Sequence, residues 1–217
     1  MRERSHDAAA KLDPREQHFC IPGSIEGLSL FLRHLPPTDA HTHPPRVVLY
    51  VHGATFPSAL SIAHRFDGRS WRDELCDAGF HVWGLDFYGF GESDRYPEMM
   101  APADAHPPLG GTDDASRQIA AAIRFIFDRH GARRLSVIAH SWGTLPAAHC
   151  AGAHPDLIDR LVLFGPIARR DPPDRNLVDR EPPPANLAWR VVTLAHGALH
   201  RGCAGGRDVG PVTPPFR

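Results

Sequence analysis

No stretch of this 217-residue sequence approaches the roughly 18 uninterrupted apolar residues that a membrane-spanning helix needs. The first twenty residues are polar and charged, without the apolar segment and cleavage site of a secretory signal. An excess of one charge sign is also missing, because basic and acidic residues nearly cancel and leave a formal net charge of -1. The composition therefore predicts no nucleic acid and no membrane as a partner. It leaves the oligomeric state open.

Closely spaced cysteine pairs are absent as well. The four cysteines are scattered and form no Cys-x-x-Cys motif: Cys20, Cys76, Cys150 and Cys203. Thiols in a reducing compartment are therefore favoured over disulfides or a zinc site. Together with a length that suits one sizeable core, this predicts a cytoplasmic globular protein.

Histidine, by contrast, is plentiful, with fifteen residues in the chain. The closest pair, His41 and His43, lies between two Pro-Pro dipeptides in a segment that reads as an exposed loop. A third ligand at suitable spacing is missing from that segment. The sequence therefore predicts no metal site and no cofactor.

Apolar runs alternate along the chain with segments of helical periodicity. Six runs predict strands, at residues 16–21, 28–33, 46–51, 80–85, 135–138 and 160–165. A short helix is predicted over residues 68–79, with Trp71 and Leu75 in the core. The clearest helix starts near Thr112 and stops at Gly131, with one apolar face formed by Ile119, Ala122, Ile123, Ile126 and Phe127. This alternation predicts an α/β fold: a mostly parallel sheet with helices on both faces.

The most informative segment is Ala139–Gly143, which contains Ser141. It follows the apolar run at 135–138 and precedes a stretch of small residues that reads as a helix. A serine on a sharp strand-to-helix turn, with small residues two before and two after it, is a nucleophile elbow. The alternative reading of Ser141 is an ordinary N-cap of the helix that begins near Thr144.

Two further motifs stand at the ends of apolar runs. His52-Gly53-Ala54 follows the run at 46–51, and Asp86-Phe87-Tyr88-Gly89-Phe90-Gly91-Glu92-Ser93 follows the run at 80–85. Ligand sites of parallel sheets lie beyond the carboxyl ends of the strands, so we expect His52, Asp86 and Ser141 in one region. With the elbow, these motifs have the order found in the α/β-hydrolase fold family, which the chain resembles from about Ile21 to Pro166.

The resemblance implies roles for individual residues. Ser141 would be the nucleophile, and the backbone N–H groups of Ala54 and Trp142 would form the oxyanion hole. The substrate would be a small molecule with an acyl bond. His52, Gly53, Asp86, His140 and Gly143 are expected as pocket or structural residues, with His52 holding its loop by hydrogen bonds and His140 serving in packing.

The acid and histidine that complete a catalytic triad are missing from residues 1–166, the predicted hydrolase core through its sixth strand. Residues 167–217 read as the start of a cap, with a helix over 185–194, followed by an irregular tail. The core therefore reads as truncated. Weak stand-ins for the triad partners are Asp171 or Asp174 with His196 or His200. One possible back-translation of residues 198–206, read in a shifted frame, gives a more hydrolase-like sequence, which suggests that the tail after Leu194 is out of frame.

Two functions follow. The first is a serine hydrolase that acts on an ester, amide or similar acyl bond through Ser141. The alternative is a catalytically incomplete hydrolase-like fragment that binds at most a small ligand.

Overall fold

A computed structural model describes residues 12–39, 44–102 and 105–167, together with the backbone of residues 192–195. Seven strands form one sheet: β1 (Gln17–Pro22), β2 (Ser29–Leu35), β3 (Arg46–Val51), β4 (Phe80–Asp86), β5 (Leu135–His140), β6 (Ile158–Phe164) and β7 (Val192–Ala195). Their order across the sheet is β1-β2-β4-β3-β5-β6-β7. Strands β4, β3, β5 and β6 are parallel, whereas β1, β2 and β7 pair antiparallel with their neighbours.

Three helices cover the two faces of this sheet: α1 (Trp71–Asp77), α2 (Thr112–His130) and α3 (Thr144–Ala153). Helices α2 and α3 share a core with one face, which includes Leu49 and Val137, whereas α1 packs on the other face beside Val48 and Val82. Each fully buried aliphatic side chain of this kind contributes about 1.5–3 kcal/mol. The predicted α/β architecture is therefore confirmed. None of the helices in the described ranges combines the length and hydropathy needed to cross a bilayer.

The periodicity of α2 is confirmed in detail. Ile119, Ala122, Ile123 and Ile126 are fully buried, and Phe127 is partly buried against the same core. The helix ends at Gly131, whose φ of 62° is left-handed and whose N–H donates to the carbonyl oxygen of Phe127.

Two expectations from the sequence are wrong. Trp71 is not a core residue: its side chain, at the first position of α1, is 44% exposed. Its ring makes T-shaped contacts with Tyr50 and Phe164. The helix predicted over 185–194 is also contradicted where the chain is described, since the backbone of residues 192–195 pairs with β6 as an edge strand. Residues 185–191 lie outside the described ranges.

Candidate active site

The turn at Ser141 joins β5 to α3 at the carboxyl edge of the parallel strands. Ser141 has a φ of 51°, which makes it one of two non-glycine residues with a left-handed backbone in the described ranges. A left-handed conformation is costly for a residue with a Cβ, and such strain occurs mainly where function or packing requires it. A 3-10 turn over Ser141–Gly143 follows directly and continues into α3. Ser141 therefore has the sharp strand-to-helix geometry that the sequence predicts.

The reading of Ser141 as an ordinary helix cap does not fit this geometry. The N-cap position of α3 belongs to Gly143, two residues after the serine. The turn is held instead by Thr144, whose hydroxyl donates to the carbonyl oxygen of Ser141 over 2.6 Å. Ser141 itself is only partly buried.

Two glycines allow the elbow to touch the turn that follows β3. A Cβ on Gly53 would lie 3.1 Å from the Cβ of Ser141, and a Cβ on Gly143 would lie 2.2 Å from the carbonyl oxygen of His52. Real Cβ atoms do not approach backbone as closely as 2.2 Å, so position 143 requires glycine for space. These contacts bring the His52-Gly53-Ala54 turn against Ser141, as the shared strand edge predicts.

His52 is fully buried, and both of its ring nitrogens are occupied. Its Nε2 accepts the backbone N–H of Phe87 over 3.1 Å, so its proton is on Nδ1, which donates to the carbonyl oxygen of Gly53 over 2.6 Å. Burial lowers the pKa of His52 below its ordinary value, which keeps the ring neutral. His52 therefore joins the turns after β3 and β4 by hydrogen bonds and has no free nitrogen for a proton from Ser141.

Asp86 is fully buried at the end of β4 and fixes two loops. One carboxylate oxygen accepts the backbone N–H of Ser58 over 2.7 Å, and the other accepts that of Glu92 over 3.2 Å. Gly91 permits this clamp, since a Cβ at that position would overlap the Asp86 carboxylate. The loop that carries Ala54 is thereby tied to β4.

A buried charge network next to this loop is not predicted by the sequence patterns. The Ser58 hydroxyl accepts the Nε of Arg33 over 2.8 Å, and Arg33 is paired in turn with Glu16. Burial opposes ionisation of Glu16, but Arg72 and Arg33 outweigh it and hold the pKa of Glu16 below its usual range. One signal was available: Arg33 is a charged residue inside an apolar strand, where it needs a partner.

The remaining predicted site residues lie around the elbow. His140 stacks on Phe164 of β6 with ring centroids 5.2 Å apart, and burial lowers its pKa. Trp142 contacts the Phe87 ring edge-on at 5.7 Å. Ala54 is exposed at the carboxyl edge. The stand-ins for the acid and histidine, and the tail after residue 195, lie outside the described residues.

The chain matches the family model of the alpha/beta hydrolase fold over residues 46–200, which is more than half of its length. It therefore belongs to the α/β-hydrolase fold family. The fold, the order of the three motifs and the strained serine agree with this membership.

Individual relatives differ in the reactions that their names describe. Lipase member N of Mus musculus is 26% identical over 149 residues, which are 66% of this chain and 37% of the lipase. Homoserine O-acetyltransferase of Deinococcus radiodurans is 27% identical over 142 residues, which are 58% of this chain and 40% of that enzyme. The chain thus spans less than half the length of these curated relatives.

Among solved structures, an epoxide hydrolase from Vigna radiata is similar to this chain with a TM-score of 0.52. The sequences are 17% identical, and the match covers 73% of this chain and 41% of the epoxide hydrolase. A likeness at this identity establishes the fold alone.

Proposed function

We propose that the chain is a serine hydrolase in which Ser141 attacks the carbonyl carbon of an ester, amide or related acyl bond in a small molecule. The left-handed φ of 51° at Ser141 carries this proposal, because a strained serine between β5 and α3 is the geometry that exposes a nucleophilic hydroxyl. A hydrolase activity agrees with membership in the α/β-hydrolase fold family.

Two backbone N–H groups are candidate hydrogen-bond donors to the negative oxygen that develops in such an attack. The tetrahedral intermediate carries a negative oxygen, which the backbone N–H groups of Trp142 and Ala54 would stabilise. The close approach of Gly53 to Ser141 supports this assignment, since it brings the residue before Ala54 against the elbow. Removing one such donor raises the barrier of the chemical step by about 3–4 kcal/mol in comparable sites.

An acyl substrate suits a serine nucleophile. Lipase member N and the homoserine O-acetyltransferase have names that refer to acyl chemistry, which supports the same bond class for this chain.

A fluorophosphonate probe tests the nucleophile, because it labels only serines that are activated by a base. We expect stoichiometric labelling of the full chain, with the adduct on Ser141, and complete loss of labelling in Ser141→Ala. Ser136→Ala is the matched control, since Ser136 lies in the same strand β5 at its other end and should leave labelling unchanged. Labelling at another serine would contradict the proposal.

A second candidate is a hydrolase-fold protein without a working triad that binds at most a small acyl ligand. The contacts of the two histidines beside the elbow favour it. Both ring nitrogens of His52 are already hydrogen-bonded, and the ring of His140 stacks on Phe164. A serine without a base is a poor nucleophile. A folded wild-type protein that stays unlabelled at Ser141 would decide for this candidate.

A further inference from the structure

Three histidines from distant parts of the sequence meet at the edge of the sheet opposite the elbow. His34 lies near the end of β2, His81 is the second residue of β4, and His130 is the last residue of α2. One ring nitrogen from each lies within 4.8 Å of the other two. His34 is buried, and the other two are half-buried, so the cluster is accessible from solvent on one side.

The spacing of the ring nitrogens suits a metal ion. Nε2 of His34 and Nδ1 of His81 are 3.1 Å apart. Two nitrogens bound to tetrahedral zinc at the usual 2.0–2.1 Å are separated by about 3.3 Å. The pair therefore already has nearly the separation of two zinc ligands, and the third nitrogen, within 4.8 Å of the others, requires a shift of at most about 1.5 Å.

The lone pair on Nε2 of His34 is directed towards Nδ1 of His81, at the centre of the cluster. Its Nδ1 lies 3.3 Å from Oε1 of Gln17, an oxygen that also accepts a hydrogen bond from Arg129 over 3.1 Å. Since that oxygen is an acceptor, Nδ1 of His34 carries the proton, and its Nε2 presents a lone pair to His81. Burial, with smaller contributions from the neighbouring histidines and from the positive charge of Arg129, lowers the pKa of His34 to about 2 and that of His130 to about 4. Neutral imidazole is the form that binds metals.

We propose that His34, His81 and His130 bind one divalent transition-metal ion of the Zn²⁺ class. The ion joins β2, β4 and the end of α2, three elements that local sequence does not connect. This inference is independent of the proposed hydrolase function, because His81 and Asp86 are separated by roughly 16 Å along β4. The site therefore acts on stability rather than on the chemistry at Ser141.

Metal binding competes with a set of hydrogen bonds among the same groups. Trp83 donates from Nε1 to Nε2 of His130 over 3.1 Å, and His81 donates from Nδ1 to Nε2 of His34. Metal binding at Nδ1 of His81 requires that this proton move to Nε2 of the same ring, which leaves the imidazole neutral. Binding through Nε2 of His130 exchanges the bond from Trp83 for a bond to the metal. Trp83 also stacks on His34 with ring centroids 4.3 Å apart, so its fluorescence reports on the cluster.

Titration of the metal-depleted full chain with Co²⁺ tests the site. We expect saturable binding at one ion per chain, visible absorption bands of a nitrogen-ligated ion that Zn²⁺ displaces, and a melting temperature that rises with Zn²⁺ concentration. His81→Gln and His130→Gln should each raise the Kd at least about 100-fold, because loss of an outer partner alone costs about 10–100-fold.

Two control variants separate this cluster from other histidines. His149→Gln removes an exposed histidine on α3, and a combined His41→Gln, His43→Gln variant removes the closest histidine pair in the sequence. Both should bind Co²⁺ as tightly as the wild type. Loss of binding in the His41/His43 variant, retention in either cluster variant, or no saturable binding would each overturn the proposal.

The wild-type chain supplies a readout that does not depend on folding of the variants. Co²⁺ bound beside Trp83 should quench tryptophan fluorescence with the same midpoint as the absorption change. Absorption without matching quenching would locate the ion elsewhere and refute the assignment.

Discussion

A Cβ on Gly143 would stand 2.2 Å from the carbonyl oxygen of His52, so the turn into α3 touches the end of β3 through backbone atoms. The φ of Gly143 is -58°, an ordinary helical value, which means that space and not conformation demands glycine here. This contact makes the Ser141 turn and the His52 turn one packed unit.

Gly143→Ala should therefore destabilise the protein and disturb the elbow. The added methyl group must displace the backbone of His52 in the turn after β3, which typically costs about 1–3 kcal/mol of the free energy of unfolding. Urea unfolding measures this loss, and the rate of fluorophosphonate labelling at Ser141 should fall with it.

Gly152→Ala is the matched control on the same helix. No atom lies within 4 Å of a Cβ at position 152 in the described residues, and alanine is the better helix former. We expect a gain of about 0.5–1 kcal/mol and unchanged labelling. If both variants shift the urea midpoint in the same direction, steric contact with His52 is not the cause.

Asp86→Asn tests the clamp between β4 and the loop that carries Ala54. The two carboxylate oxygens accept N–H groups from Ser58 and Glu92, and an asparagine NH₂ must face one of these donors. An unsatisfied buried donor costs about 1–3 kcal/mol, so the urea midpoint should fall. Labelling at Ser141 should also slow, because the loop loses its anchor.

Asp113→Asn supplies the comparison for this change. Asp113 is exposed in the first turn of α2, where only a weak pairing with His149 is lost. Surface changes of this kind stay within about 0.5 kcal/mol. If Asp86→Asn and Asp113→Asn lower the urea midpoint equally, the hydrogen bonds of Asp86 contribute no more to stability than a surface pairing does.

Acid stability should depend on Arg65, which binds two carboxylates. Its Nη2 lies 2.7 Å from Asp13, and its Nε lies 2.9 Å from Asp73. Burial would raise both pKa values, but hydrogen bonds outweigh it: those from Arg15 and Arg65 lower the pKa of Asp13 to about 2, and those from Arg65 and Ser70 lower the pKa of Asp73.

The sign of the pH dependence follows from these depressed pKa values. Below the ordinary value of 3.8 the unfolded chain binds protons that the folded chain still excludes. The stabilisation is thus complete above pH 3.8 and is lost as the pH falls towards about 2. Arg65→Met should lower the urea midpoint at neutral pH and flatten its decline in acid.

Arg69→Met is the control for the acid experiment. Arg69 also pairs with two carboxylates, Glu74 and Asp77, but all three side chains are exposed to solvent. Exposed ion pairs contribute little, so this variant should follow the wild-type curve at every pH. An Arg65→Met curve that runs parallel to the wild type would refute the assignment to Asp13 and Asp73.

The local part of the candidate site could be predicted because it depends on short-range patterns. The elbow at Ser141, the His52 turn and the Asp86 loop each lie within a few residues of a strand end, and the alternation of strands and helices predicts that these ends share an edge. Trp71 shows the limit of such patterns, since helical spacing alone does not tell which end of a short helix reaches the core.

Sequence patterns do not predict the buried hydrogen bonds among Ser58, Arg33 and Glu16. Their hydrogen bonds join residues 17 and 25 positions apart, and their contact depends on which strands are neighbours in the sheet. The histidine cluster has the same origin. Because β2 pairs with β4, His34 lies opposite Trp83 and diagonally across from His81, which is 47 positions away in the sequence.

The order and local form of the turns therefore follow from residue patterns, because backbone sterics and apolar periodicity act over a few positions. Only the tertiary structure decides which strands are neighbours in the sheet. The buried charge network and the cluster of His34, His81 and His130 depend on that order. The physical reason is that buried polar side chains at these positions need hydrogen-bond partners. Those partners come within reach only when strands that are distant in the sequence pair in the sheet.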